Sequence, residues 1–334
     1  MRPPTTRPRA RRGLRGLAAL AAVALLGAGC TDYGGDLSGA AGARAGGEDT
    51  VVVSDTAGTP LAFLAYGVRQ GYFAAEGIEV EVRPSSGGAT VIPSLMSGDV
   101  DIVGSNVVSA MIAMGRRMPV RMVAAGTSTA EEPEDDFSSL MVPPDSPIRD
   151  AADLAGARIA VNTLQNINDV VLYSALRERG VDLASVELVE MPLPDMAAAV
   201  QRGDVDAAAL IEPFATIGRS QGLRDVLRPY SDLRPSLQIG TFLMTERTIE
   251  ERPELAAAFQ AGVRATAEAV RADPESFRAA LPEISEVDPE LAAEMDLPVW
   301  NGTTDRESIE LIHAEMVEFG LTEAELDYEG SVLG

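Results

Sequence analysis

The sequence contains no lysine, one histidine and one cysteine. Without lysine, no Schiff base can hold pyridoxal phosphate, and most nucleophile–base pairs also use a histidine or a lysine. The single histidine, His313, falls in a predicted helix far in sequence from the candidate loops described below. One histidine and one cysteine do not suffice for a dedicated zinc or copper site. We therefore expect a protein that is not an enzyme and holds no cofactor or metal.

Acidic residues outnumber basic ones by 51 to 27, and the formal net charge is −24. A surface of this charge repels nucleic acid, so no nucleic-acid partner is expected. Aromatic residues make up only 4% of the chain, whereas apolar residues make up 46%. That apolar share is sufficient for two hydrophobic cores in a chain of this length.

The first residues differ in composition from the rest of the chain. The first fifteen include six arginines and no acidic residue, and an apolar run follows over residues 17–28. This run is shorter than the about 20 apolar residues that span a bilayer, but it suits the core of a signal peptide. We therefore predict a signal peptide over residues 1–29 and an exported protein. Arg11 and Arg12 leave twin-arginine export and general export both open.

Cys30 follows the sequence Leu-Leu-Gly-Ala-Gly, which resembles the lipobox of bacterial lipoproteins with its leucine one position further from the cysteine. The resemblance implies that Cys30 is lipidated and anchors the protein to the outer face of the cytoplasmic membrane. The alternative is a soluble exported protein with an unpaired thiol. Residues 30–48 are rich in Gly, Ala and Asp, a composition that predicts a flexible tether before the globular part begins near Asp49.

The tetrapeptide Gly-Asp-Val-Asp occurs twice, at residues 98–101 and 203–206. Each copy lies between a predicted helix and an apolar strand, and two further strands that end in polar loops precede it. Alternating strands and helices predict parallel sheets, and a repeat of this length corresponds to one lobe. We predict an α/β protein with two similar lobes, residues 49–136 and 137–247. Residues 248–334 are predicted to form C-terminal helices that return to the first lobe.

The loops that follow the predicted strands form the candidate ligand site. In parallel sheets these loops meet at the carboxyl ends of the strands, where helix N-termini also point. The predicted ligand-binding residues are Asp55, Thr56, Thr59, Gly88, Ala89, Thr90, Ser105, Asn106, Asn162, Thr163, Gln165, Asn166, Glu212 and Pro213. The asparagines and glutamine of residues 162–168 exceed what capping a helix needs. Glu212 could instead have a structural role as a cap of the next helix. Trp300 is expected in the core, and the alternative is that it reaches the cleft.

Four segments resemble the substrate-binding proteins of ABC importers that serve nitrate, alkanesulfonates, taurine and thiamine-pyrimidine precursors. They are residues 71–80 (GYFAAEGIEV), 95–101 (LMSGDVD), 153–161 (DLAGARIAV) and 203–214, which include GDVDA and Glu-Pro-Phe. The resemblance covers nearly the whole chain after residue 50. It implies a two-lobed Venus-flytrap fold of the periplasmic-binding-protein type II class. It also implies a monomer that closes on one small-molecule ligand and docks on a membrane permease.

The resemblance does not identify the ligand. None of the candidate loops carries an arginine. Helix N-termini and hydroxyl groups could hold an anion such as nitrate or a sulfonate, and Asn, Gln and Glu212 could equally hold a neutral or amphoteric pyrimidine precursor. Few aromatic residues occur near these loops, so ring stacking is not expected. The alternative functions are an exported sensor for a signalling partner, which uses the same clamp, and an enzyme on the same scaffold.

Overall fold

Strands and helices alternate through the computed structural model, which describes residues 50–285 and 287–333. In chain order the strands are β1 (Thr50–Thr56), β2 (Glu79–Ser85), β3 (Ile102–Asn106), β4 (Val120–Ala125), β5 (Thr127–Ser128), β6 (Ser138–Val142), β7 (Arg158–Val161), β8 (Glu187–Glu190), β9 (Ala207–Ile211), β10 (Arg224–Leu227), β11 (Gly240–Thr245) and β12 (Val299–Trp300). The helices are α1 (Thr59–Arg69), α2 (Tyr72–Ala75), α3 (Gly88–Ser97), α4 (Val107–Gly115), α5 (Ile167–Glu178), α6 (Leu193–Arg202), α7 (Phe214–Ser220), α8 (Pro229–Leu233), α9 (Glu246–Glu251), α10 (Pro253–Ala272), α11 (Pro274–Ile284), α12 (Pro289–Glu294), α13 (Arg306–Glu318) and α14 (Tyr328–Ser331). Short 3-10 helices lie at Pro133–Asp135, Ala151–Leu154 and Leu183–Ser185.

Within the described residues, the two large sheets have the same arrangement. The first sheet has the order β2-β1-β3-β11-β4, and the second, taken in the matching direction, has the order β8-β7-β9-β6-β10. The first three strands of each sheet are parallel, and the fourth, β11 or β6, runs antiparallel to both of its neighbours. The predicted α/β fold of two similar lobes is confirmed.

The repeated tetrapeptide occupies the same place in both lobes. Gly98 and Gly203 end α3 and α6 in the left-handed conformation, with φ of 82° and 75°. The last aspartate of each copy then accepts a hydrogen bond from a backbone amide of the neighbouring strand. Asp101 accepts it from β1 at 2.9 Å, and Asp206 accepts it from β7 at 2.8 Å. The repeat therefore turns the chain from helix into strand and fixes that strand against its neighbour.

The second lobe ends earlier than the sequence indicates. The prediction assigns residues 137–247 to the second lobe, but β11 pairs with β3 and β4 in the first sheet. Every residue of β11 is buried. A short, fully buried apolar strand fits the interior of either sheet, so its sequence does not indicate which lobe it joins.

Two antiparallel segments, residues 126–130 and 236–240, connect the lobes, and we call them the crossover ribbon. The backbone amide of Gly126 donates to the carbonyl of Gly240 at 2.9 Å. A Cβ atom on Gly126 would lie 2.7 Å from the Gly240 backbone, closer than real Cβ contacts allow. The close approach of the two segments therefore requires glycine at this position.

The C-terminal helices complete the core of the first lobe. Helix α10 packs on α1, α2 and β4, and α11 packs on α1. In the same core, the Trp300 ring stacks on Phe63 with centroids 4.7 Å apart. Helix α13 contacts α4 of the first lobe and α5 of the second. An ion pair of 2.9 Å between Arg177 and Glu315 accompanies the contact with α5.

The predicted signal peptide, Cys30 and the tether lie outside the described residues. None of the helices in the described part of the chain is both long enough and apolar enough to cross a bilayer. Across residues 50–285 and 287–333, no group of three or more His, Cys, Asp or Glu side chains is arranged to hold a metal ion.

Candidate functional site

A cavity of about 60 Å³ lies between the two sheets, beside the crossover ribbon. Its polar lining residues are Asp55, Thr56, Ser105, Asn106, Thr127, Asn162, Asn166, Asn168, Tyr230 and Thr241. Its apolar lining residues include Phe137, Ile167, Leu193, Ile211, Ile239, Phe242 and Trp300. Both lobes and the ribbon contribute to the lining, so movement of one lobe relative to the other changes the shape of the cavity.

The first-lobe wall is formed where β1 and β3 end. Asn106, the last residue of β3, caps α4 by accepting a hydrogen bond from the Ser109 amide at 2.9 Å. Its Nδ2 also donates to Ser109 Oγ at 3.1 Å. The hydroxyl of Ser105 donates to the Asn106 carbonyl at 3.2 Å. The cap thus holds the start of α4 at the cavity.

Asp55 supplies a buried carboxyl group to the same wall, and only 5% of the residue is exposed. Its Oδ1 accepts a hydrogen bond from the Thr56 amide at 2.7 Å. Burial raises the pKa of Asp55 to about 7, and the bond from Thr56 opposes that rise. The carboxyl group fills the space above Gly104 of β3, where a Cβ atom would overlap it.

The second-lobe wall is a network of asparagines between β7 and α5. Asn166 caps α5 by accepting a hydrogen bond from the Asn168 amide at 2.8 Å. Asn162 Oδ1 accepts from Asn166 Nδ2 at 3.2 Å and from Asn168 Nδ2 at 2.9 Å. Asn168 Oδ1 accepts from the Tyr230 hydroxyl at 3.0 Å. The side-chain oxygens of these three asparagines thus already accept hydrogen bonds from the protein. A ligand can still accept a hydrogen bond from the second Nδ2–H of Asn162 and of Asn168.

The lobes touch each other at the edges of the cavity. Asn162 Nδ2 donates to the Ser86 carbonyl at 2.9 Å, across the gap between the lobes. The Thr59 amide at the start of α1 donates to the Glu212 carbonyl at 3.2 Å. Gly87 faces Asn162 so closely that a Cβ atom there would lie 2.7 Å from Nδ2. These contacts describe a cleft in its closed form.

The structure brings six of the predicted site residues together on the cavity wall. They are Asp55, Thr56, Ser105, Asn106, Asn162 and Asn166. Gly88, Ala89 and Thr90 instead form the first turn of α3, where Gly88 packs directly on Ser105. Thr163 is buried beside the cavity and its hydroxyl meets Asn166 Nδ2.

The remaining predicted residues have other surroundings. Gln165 lies on the outside of the loop with φ of 53°, and its Oε1 accepts a hydrogen bond from Arg116 at 3.2 Å. Thr59 is the first residue of α1, and its Oγ1 is buried without a hydrogen-bond partner among the described residues.

Glu212 has the structural role that the sequence left open, and it does not line the cavity. It is fully buried. Its carboxylate accepts hydrogen bonds from the Thr216 amide at 3.0 Å and hydroxyl at 2.9 Å, and it pairs with Arg219 at 3.0 Å. Burial raises the pKa of Glu212, although Thr216 and Arg219 oppose the rise. Pro213 follows through a cis peptide bond and precedes α7.

The cavity also has lining residues from the ribbon and from later parts of the chain, which are not among the predicted site residues. Thr127 and Thr241 lie beside the paired glycines of the crossover ribbon, and Tyr230 belongs to the short helix α8. Trp300 is in the core, as expected, with 1% of its surface exposed, and it also lines the cavity. The feature of the sequence that could have indicated the ribbon residues is the pair Gly126 and Gly240, since glycines near strand ends indicate a close approach of two backbones.

The model of the NMT1/THI5-like family matches residues 59–277. The chain belongs to this family. A putative aliphatic sulfonates-binding protein of Escherichia coli (strain K12) is 30% identical over 183 residues, which are 54% of this chain and 52% of that protein. The taurine-binding periplasmic protein of the same organism is 28% identical over 190 residues, 56% of each chain. The NMT1/THI5-like chain thus spans about half the length of the curated relatives that it matches.

Solved structures share the fold of this NMT1/THI5-like chain. The alkanesulfonate-binding protein SsuA from Xanthomonas axonopodis pv. citri, bound to MOPS, superposes with a TM-score of 0.72 and 16% identity. The superposition covers 86% of this chain and 99% of that one. It confirms the two-lobed periplasmic-binding-protein fold.

Proposed function

We propose that this NMT1/THI5-like protein is the solute-binding receptor of an ABC importer. Its solute is a small polar molecule of the sulfonate, taurine, nitrate or pyrimidine-precursor classes. The observation that carries the proposal is a cavity, lined by both polar and apolar side chains, between two lobes that the crossover ribbon joins. The sulfonate- and taurine-binding relatives support the same assignment.

The dimensions of the cavity favour a small solute. Sites for drug-sized ligands commonly enclose about 300 Å³ or more, whereas this closed cavity has a volume of about 60 Å³. A solute with few heavy atoms can fill it while the lobes remain in contact. Binding would then stabilise the closed form by adding contacts to both walls at once.

The protein performs no chemistry of its own in this proposal. Among the described residues, those that line the cavity include no histidine, cysteine or lysine. The side chains of Asn106 and Asn166 are engaged in helix caps. Such groups suit recognition and do not provide a nucleophile with its base.

We also propose that lipidated Cys30 holds the receptor at the outer face of the cytoplasmic membrane. The protein acts as a monomer that presents its closed form to a permease. Support for the anchor comes from the sequence before Cys30, which lies outside the described residues.

A thermal-unfolding panel on the purified protein tests this function. The panel contains taurine, alkanesulfonates, nitrate and aminopyrimidines. A solute at a hundredfold its Kd should add about 2.7 kcal/mol to the free energy of unfolding. Stabilisation by one chemical class would identify the solute, whereas turnover of any panel member would contradict a pure receptor.

Matched variants locate the binding site. Asn162→Ala and Asn168→Ala remove N–H donors from the cavity, so each should weaken solute binding by about tenfold. Gln165→Ala alters the same loop outside the cavity and should leave Kd within about twofold. If Gln165→Ala weakens binding as much as the other two variants, the solute does not bind in this cavity.

A further inference from the structure

Asp55 is the charged side chain of the cavity. Of the described residues that line it, none is arginine, lysine or histidine, and none besides Asp55 is aspartate or glutamate. A cavity built for a simple anion would be expected to hold positive charge, or at least to exclude a carboxyl group. The charge at this site therefore favours a ligand of the opposite sign.

Asp55 has no counter-ion among the described residues. Its one hydrogen bond among residues 50–285 and 287–333 comes from the amide of Thr56, and no described arginine forms an ion pair with it. Burying a carboxylate without a cation is unfavourable. Burial accordingly raises the pKa of Asp55 to about 7. A cation that entered the cavity would remove this penalty.

The position of Asp55 depends on the neighbouring strand. Gly104 of β3 leaves the space that the Asp55 carboxyl group occupies, and any side chain there would displace it. Asp55 is 5% exposed and lies on the cavity wall. The acid is therefore held in place by the sheet and is not a mobile surface group.

The wall also contains more aromatic rings than the sequence suggested. Phe137, Tyr230, Phe242 and Trp300 all line the cavity, although the sequence has few aromatic residues near the candidate loops. Three of these come from segments that were not among the candidate loops, and for Trp300 a core role was expected, with a position at the cleft as the alternative. Aromatic faces attract cations electrostatically, so the rings and the carboxyl group favour the same kind of ligand group.

We infer that the solute carries a positively charged nitrogen and that Asp55 binds this nitrogen. The inference rests on the proposed function and narrows its solute classes to amino-bearing members, such as taurine or a protonated aminopyrimidine. The amide N–H groups of Asn162 and Asn168 on the opposite lobe then meet the remaining polar atoms. A solute of this kind connects the two walls.

Two matched pairs of probes test the inference by isothermal titration calorimetry on the intact protein. The first pair is taurine and isethionate, which carries a hydroxyl group in place of the amino group. The second pair is an aminopyrimidine and the pyrimidine with a methyl group in that position. We expect the wild-type protein to bind the amino member of at least one pair about tenfold more tightly or better.

The variants assign that preference to Asp55. Asp55→Asn keeps the shape of the side chain and should reduce the preference to about threefold or less by weakening the amino member. Gly104→Ala displaces the carboxyl group without removing it and should have the same effect. Asp101→Asn removes a buried carboxylate of the first lobe that lies outside the cavity, so it should keep the preference.

The possible outcomes separate this inference from the proposed function. Equal binding of the two members in both pairs, or an unchanged preference in Asp55→Asn, overturns the inference and leaves a solute receptor in place. Binding of nitrate or plain alkanesulfonates without binding of either amino probe has the same meaning. Failure of every probe and every member of the thermal panel overturns both.

Discussion

Asp55 is a carboxyl group that is buried without a counter-ion among the described residues, and this burial makes the stability of the protein depend on pH. Its pKa is about 7 in the folded protein, against an ordinary value of 3.8. At a pH between these two pKa values, Asp55 holds a proton in the folded state that it has lost in the unfolded chain. The stability linked to this proton is complete below about pH 4 and is lost as the pH rises through 7.

The Asp55→Asn variant should lack this pH dependence, because an amide does not titrate. Relative to the wild-type protein, it should gain stability as the pH rises from 4 to 8, by up to about 4 kcal/mol. Urea unfolding of both proteins at several pH values gives the difference directly, since other buried acids contribute equally to both. Parallel stability curves would show that Asp55 titrates normally.

Individual site residues were predictable where position along a strand decides the role. Asp55 and Ser105 lie at the carboxyl ends of β1 and β3, and Asn162 directly follows β7. The general rule for parallel sheets therefore placed all three at the ligand edge. Gln165 follows the same rule but faces outward, because its backbone has φ of 53°. Nothing in the residue types of that loop reveals such a turn.

At the scale of elements, the loop before α7 shows how a conspicuous motif can be structural. Glu212 receives hydrogen bonds from the first turn of α7 and an ion pair from Arg219. Arg219 also pairs with Asp225 and Asp296, each at about 3 Å. Arg219 therefore joins α7 to β10 and to the segment after α12, and Glu212 takes part in this network without lining the cavity.

Glu212→Gln should destabilise the protein and leave solute binding unchanged. The amide cannot pair with Arg219, so we expect the free energy of unfolding to fall by about 1–3 kcal/mol. The Kd for the solute identified by the thermal panel should stay within about twofold. A large loss of affinity in a variant of near-normal stability would return Glu212 to the binding site.

Elements were predictable in kind and order, but the partner of each strand was not always predictable. Strands and helices alternate around the Gly-Asp-Val-Asp repeat, and this order predicted the parallel strands of both lobes. The two kinds of element could be told apart because apolar residues are spaced differently in helices and in strands. Strand β11 pairs with strands more than a hundred residues earlier in the chain. Its apolar residues carry no information about so distant a partner.

For the whole molecule, the contact of Gly87 with Asn162 controls how closely the lobes approach. Gly87→Ala should hold the lobes apart, because a Cβ atom would overlap the amide of the opposite lobe. If the closed form is destabilised by about 1.4 kcal/mol relative to the open form, the apparent Kd of the solute rises about tenfold. Small-angle X-ray scattering without solute should show a larger radius of gyration than for the wild-type protein.

Gly77→Ala is the matched control for this change. Gly77 also has a positive φ, of 81°, but no atom of the described residues lies within 4 Å of the position that a Cβ would take. Its backbone strain should lower stability without changing the radius of gyration or the Kd. Equal effects of the two variants on Kd would assign the loss to strain and not to contact between the lobes.

The placement of β11 also determines when the first lobe can fold during synthesis. Its sheet lacks an interior strand until residues 240–245 have been made, and the stacking partner of Phe63 is Trp300. The second lobe is thus an insertion within the first, and closing so long a loop is entropically unfavourable until the late segments arrive. A ribosome that has produced only the first hundred and fifty residues has therefore not supplied a complete domain. The first sheet can be completed only after residue 245 has been translated, whereas the five strands of the second sheet are all available by residue 227.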